Sequence, residues 1–567
     1  MGLHSKKLIS FLFGILFLSL QISCTPKKKD PFSDILTLLI LQSLLSDPAC
    51  TFDPNGVDPL YADQWHLNNS GQQGGTVSED ARVVSVWNSG ISGRNVNVSV
   101  VDDGLDTDHE DLSANVSRNI SGINLITDAN TPRHMFSNSA HGTAVGGVIA
   151  GRGSNQTGGR GAAPCAKLVG INILEQNTIS GSDEFSAMTH RSADIHISNN
   201  SWGAPDNFGW LWPSSSLWRD GIVSGLSSGR NGLGTIYLWA AGNGAIRSVC
   251  ALNNPNCPVD NSNYDGQANY YGVMAIGGIG QNGRKAAYSE NGANLWAVAH
   301  TQGDNGTSYT TAITTTDASG TRGFNSGSTS GELSNNNYTR RFNGTSSATP
   351  LAAGAIALLL ERYPNLNWRD VREIVAKSAR KNDPLDSDWV VNGAGFNTNH
   401  KYGFGAMDAN ALLTSAASHT PITVPQKVIA YTTAPNVAIP DNNVTGVNSN
   451  VVVGAGSGIS NIEFVEFEFG SNHTYFPELR ITLTSPSGTV SILSENHFCF
   501  TNLETSAPCP SNGSGIINFT GSSQIFRFGS ARHLGENPTG TWTVRVIDNG
   551  AGDIGNINHL RLRFYGR

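Results

Sequence analysis

Between about residues 58 and 412 short apolar runs alternate with longer runs of helical character. The short runs lie at 96–101, 168–174, 194–198, 235–240 and 273–277, and helical patterns at 144–150 and 217–227. Strands apolar on both faces and interleaved with helices predict a parallel sheet covered by helices. The longest apolar run follows Ser346, with small residues and no charge until Glu361. It reads as a helix buried on all sides, and at about sixteen residues it is too short to cross a bilayer. Pro350 is tolerated only near the start of such a helix, which places Ser346 at its N-terminus, where backbone N–H groups favour negative charge. Residues 291–341 read as one long Ser/Thr/Asn/Gly loop. After about residue 420 the period falls to two, in short segments at 462–469, 479–484, 490–493, 525–528, 541–547 and 559–564. No helical pattern remains there, so an all-β sandwich or jelly roll is expected. The divisions drawn are 1–23, 24–57, 58–415 and 425–567.

The first of these is a targeting signal. His4, Lys6 and Lys7 precede an apolar core at 8–20, and Leu20-Gln21-Ile22-Ser23-Cys24 resembles a relaxed bacterial lipobox. Acylation of Cys24 is expected, with a membrane lipid anchor and a place in the cell envelope, on the surface or the outer membrane; plain secretion is the alternative. A second apolar stretch at 35–45 is too short to span a bilayer and could pack on the fold or lie in the lipid interface. Seven cysteines less Cys24 leave six, as in an oxidising compartment. Cys250/Cys257 and Cys499/Cys509 are close enough for local loops, leaving Cys50 and Cys165, though spacing does not prove connectivity. A net charge of −8 with no basic stripe argues against nucleic acid as a partner.

Three short motifs keep Ser346 company. Val98-Ser99-Val100-Val101-Asp102-Asp103-Gly104 puts two carboxylates at the end of a buried strand. His141-Gly142-Thr143-Ala144 opens a helix of small residues, and Ala241-Gly242-Asn243-Gly244 sets an amide in a glycine-flanked turn. Asp102, Ser201 and Asn243 all fall where parallel sheets bind ligands, beyond the C-terminal ends of the strands. Each alone has a plain structural reading, as a turn former or a helix cap.

In the order Asp, His, Asn, Ser and with these flanks, they resemble the subtilisin-like serine endopeptidases. That resemblance implies Ser346 as nucleophile, His141 as general base and acid, Asp102 as its orienting carboxylate and Asn243 as oxyanion donor. Asp58-Pro59-Leu60-Tyr61-Ala62-Asp63-Gln64-Trp65-His66, Ser201-Trp202-Gly203, Asn263-Tyr264-Asp265-Gly266 and Tyr288-Ser289-Glu290 narrow the likeness to the kexin/furin branch of proprotein convertases. Leu483-Thr484-Ser485-Pro486-Ser487-Gly488 and Gly540-Thr541-Trp542 resemble that branch's C-terminal P domain. The resemblance implies cleavage of proteins or peptides after basic residues. Asp206 and Asp265 would line an arginine pocket, Ser201, Trp202 and Gly203 would bind substrate, and Asp103 would meet the preceding basic residue. Glu184 would serve further upstream. The family's second acid for that preceding residue is Asn138 here, so arginine is expected before the bond with a looser demand for a second basic residue. Calcium is implied as well, one site using Asp58, Asp111 and Asn155 with carbonyls of 152–159, and a second using Asp206, Asp260 and Glu290. Only 33 residues separate Cys24 from Asp58, fewer than the family's folding pro-domain. Arg340-Arg341 is a basic pair that could itself be cut. Two other readings stay open: a protease of broad specificity, and a non-catalytic surface binding protein that keeps the fold.

Overall fold

The computed structural model describes residues 49–245, 258–303, 311–503, 507–509 and 524–567. Cys24, the stretch at 35–45, Cys250 and Cys257 lie outside the described residues. The apolar runs form one sheet: β1 (Asn97–Asp102), β2 (Ile123–Asn124), β3 (Lys167–Asn172), β4 (Ile197–Asn200), β5 (Ile236–Ala240), β6 (Val273–Ile279) and β7 (Leu295–His300). Their order is β2-β3-β1-β4-β5-β6-β7 and every pair is parallel. The helices are α1 (Val83–Asn88), α2 (His141–Ala150), α3 (Gly181–Thr189), α4 (Ser216–Gly232), α5 (Thr345–Arg362), α6 (Trp368–Ser378) and α7 (Ala409–Ala417). The run after Ser346 is α5, buried from Ser347 to Leu360 and laid against β4 to β7. Burying a leucine there stabilises by about 1.5–3 kcal/mol, and α5 buries four in this run alone. Small residues in α2 let its backbone press on its neighbours: a side chain at Gly142 would strike the Gly104 carbonyl, and one at Gly147 the hydroxyl of Thr316.

The segment 291–341 departs from the loop expected. Its first residues form β7, wholly buried, whose apolar character is averaged away by the polar stretch behind it. Further on, β8 (Ile313–Thr316) pairs antiparallel with β9 (Tyr338–Phe342). Thr315 and Thr316 hydroxyls of β8 donate to the Ala144 and Thr143 carbonyls of α2 at 2.9 and 2.7 Å. Arg340 and Arg341 sit on β9, paired with Asp63 at 3.2 Å and Glu332 at 3.5 Å, so this basic pair is part of a strand.

Beyond α7 the described residues form strands and loops, with one 3-10 turn at Phe476–Glu478. One sheet runs Lys427–Thr433, Gly555–Gly566, Ile462–Ser471, Gln524–Ser530, and a second runs Asn443–Val453, Gly540–Asp548, Leu479–Thr484, Val490–Ser494, every pair antiparallel. Between them lies a core of Phe467, Phe469, Leu483, Phe528, Trp542 and Phe564. Cys50–Cys165 and Cys499–Cys509 are disulfides. Among the described residues no helix is long and apolar enough to cross a membrane.

The two parts are welded. Pro48–Arg567 is one compact unit, and Phe464, Leu534 and Tyr565 of the β domain join the core of the parallel sheet. Tyr271 and Tyr565 stack with centroids 3.8 Å apart. Arg369 of α6 forms a fork on Glu463, with bonds of 2.8 and 2.5 Å and both side chains under a tenth exposed. Removing one member of such a pair strands the other in a dry interface, which costs about 3–5 kcal/mol. Glu463→Ala should therefore lower stability by roughly that amount in denaturant unfolding, and Glu463→Gln, which keeps an acceptor, by less. An unchanged midpoint in Glu463→Ala would contradict this account.

Candidate active site

Asp102 closes β1 with no exposed surface. His141 opens α2, and its Nδ1 donates to Asp102 Oδ1 at 2.8 Å. The same oxygen accepts the Asp103 N–H at 2.8 Å, while Oδ2 is buried without a hydrogen-bond partner. With 29 % of its side chain exposed, the imidazole keeps its other edge toward the cleft. Burial disfavours the imidazolium, but the charge and hydrogen bond of Asp102, with the Asp103 charge behind them, outweigh it. They hold the ring up at about 9.

Asp103, expected to meet a substrate side chain, is engaged by the protein's own backbone. Its Oδ2 accepts the N–H groups of Ala140 and His141 at 3.2 and 3.1 Å, and its Oδ1 that of Gly142 at 2.8 Å. It therefore sits as the anion at the N-terminus of α2, where orphan N–H groups and the helix dipole welcome negative charge. Burial and the neighbouring Asp102 charge push its carboxyl up. Beneath it His134, 4 % exposed, donates from Nδ1 to the Asp103 carbonyl at 2.9 Å and bonds the Thr143 hydroxyl at 2.6 Å.

Ser346 is the second residue of α5, after a turn in which Gly344 takes a φ of 78°. Its Oγ donates to the Ser201 carbonyl at 3.1 Å, and Ser201 Oγ donates back to the Ser346 carbonyl at 3.1 Å. Pro350 explains the second bond. Four residues on, it has no N–H to offer the Ser346 carbonyl, which is left to accept from Ser201. A hydroxyl has one proton, so in this state Ser346 does not donate to the imidazole. Asn243 faces it from the turn after β5. Its Oδ1 accepts the N–H and the hydroxyl of Thr345 at 2.8 and 3.0 Å, which turns the Nδ2 donors to the other side.

Ser346, Ser201, Trp202, Gly203 and Asn243 line a cavity of about 230 Å³ whose remaining wall includes Asp206, Asp260, Asp265 and Glu290. Asp206 accepts the Asn243 N–H at 2.8 Å, and Asp265 accepts those of Ala204 at 2.9 Å and Gln267 at 2.7 Å. Burial raises both carboxyls. Asp260, bonded by the N–H groups of Asn207 and Gly209, is pushed to about 7 by burial and by Asp206. Glu290 stands well above its ordinary value through burial and the charges of Asp260 and Asp206. Gly242 and Gly244 are required here, because a side chain at either would collide with Glu290 or Asp260. Glu184 is not among the cavity residues. It is held by Ser215 Oγ at 2.5 Å and Gln267 Nε2 at 2.7 Å, and burial raises its carboxyl, with the Asp265 charge adding to the effect.

The other acidic set also gathers, with a partner the sequence did not announce. Arg160 pairs with Asp58 at 2.6 Å, both side chains fully buried, and lies 4.0 Å over the Tyr61 ring. Asp58 thus already faces a cation. Asn155 Nδ2 and the Gly159 N–H donate to Asp111 at 2.7 and 3.2 Å, and burial pushes that carboxyl to about 8. Among the described residues no three His, Cys, Asp or Glu side chains are already arranged as metal ligands.

Residues missed from sequence include Phe342, whose ring meets His141 edge-on at 5.3 Å, Thr345, and Trp210 and Tyr264 of the cavity wall. Phe342 and Thr345 flank the motif that marks Ser346, and that adjacency was the available signal.

Residues 93–405 match the model of the subtilase family and residues 462–564 that of the proprotein convertase P-domain. The chain is 32 % identical over 496 residues to a PC3-like endoprotease of Hydra vulgaris, covering 87 % of this chain and 63 % of that one. It is 30 % identical over 508 residues to neuroendocrine convertase 2 of Drosophila melanogaster, covering 87 % and 70 %. The fold is similar to the serine protease of Aeromonas sobria, solved with its chaperone, at a TM-score of 0.78 and 27 % identity, covering 92 % of this chain and 97 % of that one.

The His141 environment makes a titration prediction. By NMR the ring should titrate above 6.5, and Asp103→Asn should lower that midpoint. Because the folded value exceeds the unfolded one, the ion pair stabilises the fold fully below pH 6.5 and loses that effect as pH rises toward 9. A ring titrating at or below 6.5 would remove the argument.

Proposed function

Because this chain belongs to the subtilase family and continues into a proprotein convertase P domain, we propose that it is a calcium-dependent serine endopeptidase that cuts after arginine. The observation that carries the reading is the juxtaposition of Ser346 with two carboxylates, the half-buried Asp206 and the buried Asp265, in one cavity. A guanidinium entering there exchanges its hydration for charge-assisted bonds to both, which offsets the desolvation of all three groups. Its carbonyl is then held over Ser346. Once the His141 ring has lost its own extra proton, the Ser346 hydroxyl leaves the Ser201 carbonyl and gives its proton to the neutral imidazole as the oxygen attacks. Asp102 keeps the ring in the tautomer that can receive it, and the ring returns the proton to the leaving amine. Asn243 Nδ2, oriented by Thr345, and the Ser346 N–H face the developing oxyanion, the asparagine contributing on the order of 3–4 kcal/mol in this kind of enzyme. A calcium ion held by Asp206, Asp260 and Glu290 would neutralise surplus charge beside the pocket and fix its loops.

Both oxygens of Asp103 are engaged by α2, and Asn138 replaces the second acid. These two facts favour arginine alone over a strict basic pair. Purified protein given peptides ending in Arg-Arg, Ala-Arg or Ala-Leu before the bond should cut the first two within about tenfold of each other and the third far more slowly. Ser346→Ala should abolish all cutting, and calcium chelation should reduce it and lower Tm. Equal cleavage of Ala-Leu would leave only a broad-specificity protease, and cleavage by Ser346→Ala would end the mechanism.

We further propose the cell envelope as its location, on the strength of the lipobox-like residues before Cys24. Intact mass of the mature protein should show acyl chains that Cys24→Ser lacks. A mature chain without acyl groups would point to secretion.

A further inference from the structure

Part of the cavity wall comes from two largely irregular segments, one around Asp206 to Trp212 and another from Asp260 to Asp265. Loops that must hold two carboxylates at a fixed spacing need something rigid behind them. On the cleft side Asp260 provides part of it by accepting the N–H groups of Asn207 and Gly209. On the far side the support comes from the β domain. The Phe500 N–H donates to the Phe208 carbonyl at 2.8 Å, and the Phe498 N–H to the Pro258 carbonyl at 3.0 Å. His497 Nε2 lies 3.1 Å from the Gly209 carbonyl, to which it donates in the tautomer that leaves Nδ1 facing the Tyr264 hydroxyl at 3.1 Å. Gly209 has a φ of 71°, and any side chain on it would run into the Phe498 carbonyl.

Tyr264 links the same partners from within the wall. It lines the cavity, yet its hydroxyl sits 3.1 Å from Ser494 Oγ, 3.1 Å from His497 Nδ1 and 3.2 Å from the Glu495 carbonyl. Its ring lies 4.7 Å from the His497 ring. The Tyr264 carbonyl in turn accepts the Trp212 N–H at 2.8 Å, tying the two wall segments together. Only Gly209 separates the Phe208 carbonyl bonded by the β domain from Trp210, which lines the cavity and packs 4.1 Å from the Phe208 ring. Simple domain adhesion does not call for this arrangement, since Arg369–Glu463 and Tyr271–Tyr565 already join the domains elsewhere.

We infer that the primary specificity pocket is a two-domain structure, in which His497 and the Tyr264 hydroxyl are positioning residues that fix the Asp206–Gly209 wall for a guanidinium. The inference rests on the arginine-pocket reading above. In the full-length protein, His497→Ala should raise KM for the Ala-Arg peptide and the inhibition constant of benzamidine by about tenfold, the scale of one lost buried hydrogen bond. kcat and the rate at which a fluorophosphonate labels Ser346 should stay within about twofold, because the reacting groups are untouched. His497→Gln, whose amide can still donate to the Gly209 carbonyl, should recover most of the affinity. Glu463→Ala serves as the control for loosened domain packing and should lower Tm without moving the benzamidine constant. Wild-type affinity for benzamidine in a folded, labelled His497→Ala protein would overturn the inference, as would an equal loss in Glu463→Ala. A wild-type protein that neither binds benzamidine nor prefers arginine would instead remove the pocket reading itself, and the inference with it.

Discussion

Buried negative charge is the constraint around which this molecule is arranged. Asp102, Asp265 and Glu290 are nearly or wholly out of water, and Asp103, Asp206 and Asp260 are largely so. An ionised carboxylate taken from water into protein loses several kcal/mol of hydration unless donors or cations replace it. The chain answers in three ways. A helix start takes Asp103, an imidazole takes Asp102, and glycine-flanked turns bring backbone N–H groups to Glu290 and Asp260. Asp206 and Asp265 are answered only in part, by N–H groups from Asn243, Ala204 and Gln267. Their raised proton affinity registers that remaining deficit.

The placement of Ser346 follows from a different economy of hydrogen bonds. A helix as apolar as α5 has to run through the core, so its N-terminus must emerge where the sheet ends, beside the turns that follow β4 and β5. Gly344 permits the sharp entry, and Pro350 cancels one helical bond, freeing a carbonyl for Ser201. Ser346 is thus tied reciprocally, through its hydroxyl and its carbonyl, to Ser201 just past a strand end.

Much of this was legible beforehand because the signals were short and local. Each of Asp102, His141, Asn243 and Ser346 sits in a stretch whose small residues and strand or helix pattern can be read from about ten positions. The parallel sheet showed itself in runs such as 96–101 and 168–174, each within a residue or two of the observed strand. What escaped depends on residues far apart in sequence. β7 was lost inside a polar stretch because five apolar residues do not outweigh the forty or so that follow. Arg160 reads as any arginine until folding seals it against Asp58 across 102 positions. His497 gives no hint of a partner 288 residues away. Motifs identify groups that react; they say little about what holds those groups still.

Asp103 shows how that difference changes a functional reading. By position it matches an acid that meets a substrate side chain, and nothing in its neighbours contradicts this. Its oxygens nevertheless accept three N–H groups at the start of α2, and those bonds would have to be given up, at about 1–3 kcal/mol for each donor left unpaired, before the carboxylate could turn wholly to a ligand. A residue so bonded caps that helix, and its charge bears on His141. The cleft next to it then keeps little anionic character beyond what Asp103 can share across α2, since the other candidate position is the neutral Asn138. Carboxylates thus line the cavity at Asp206 and Asp265, whereas at the adjoining position the one carboxylate present is already engaged by the start of α2.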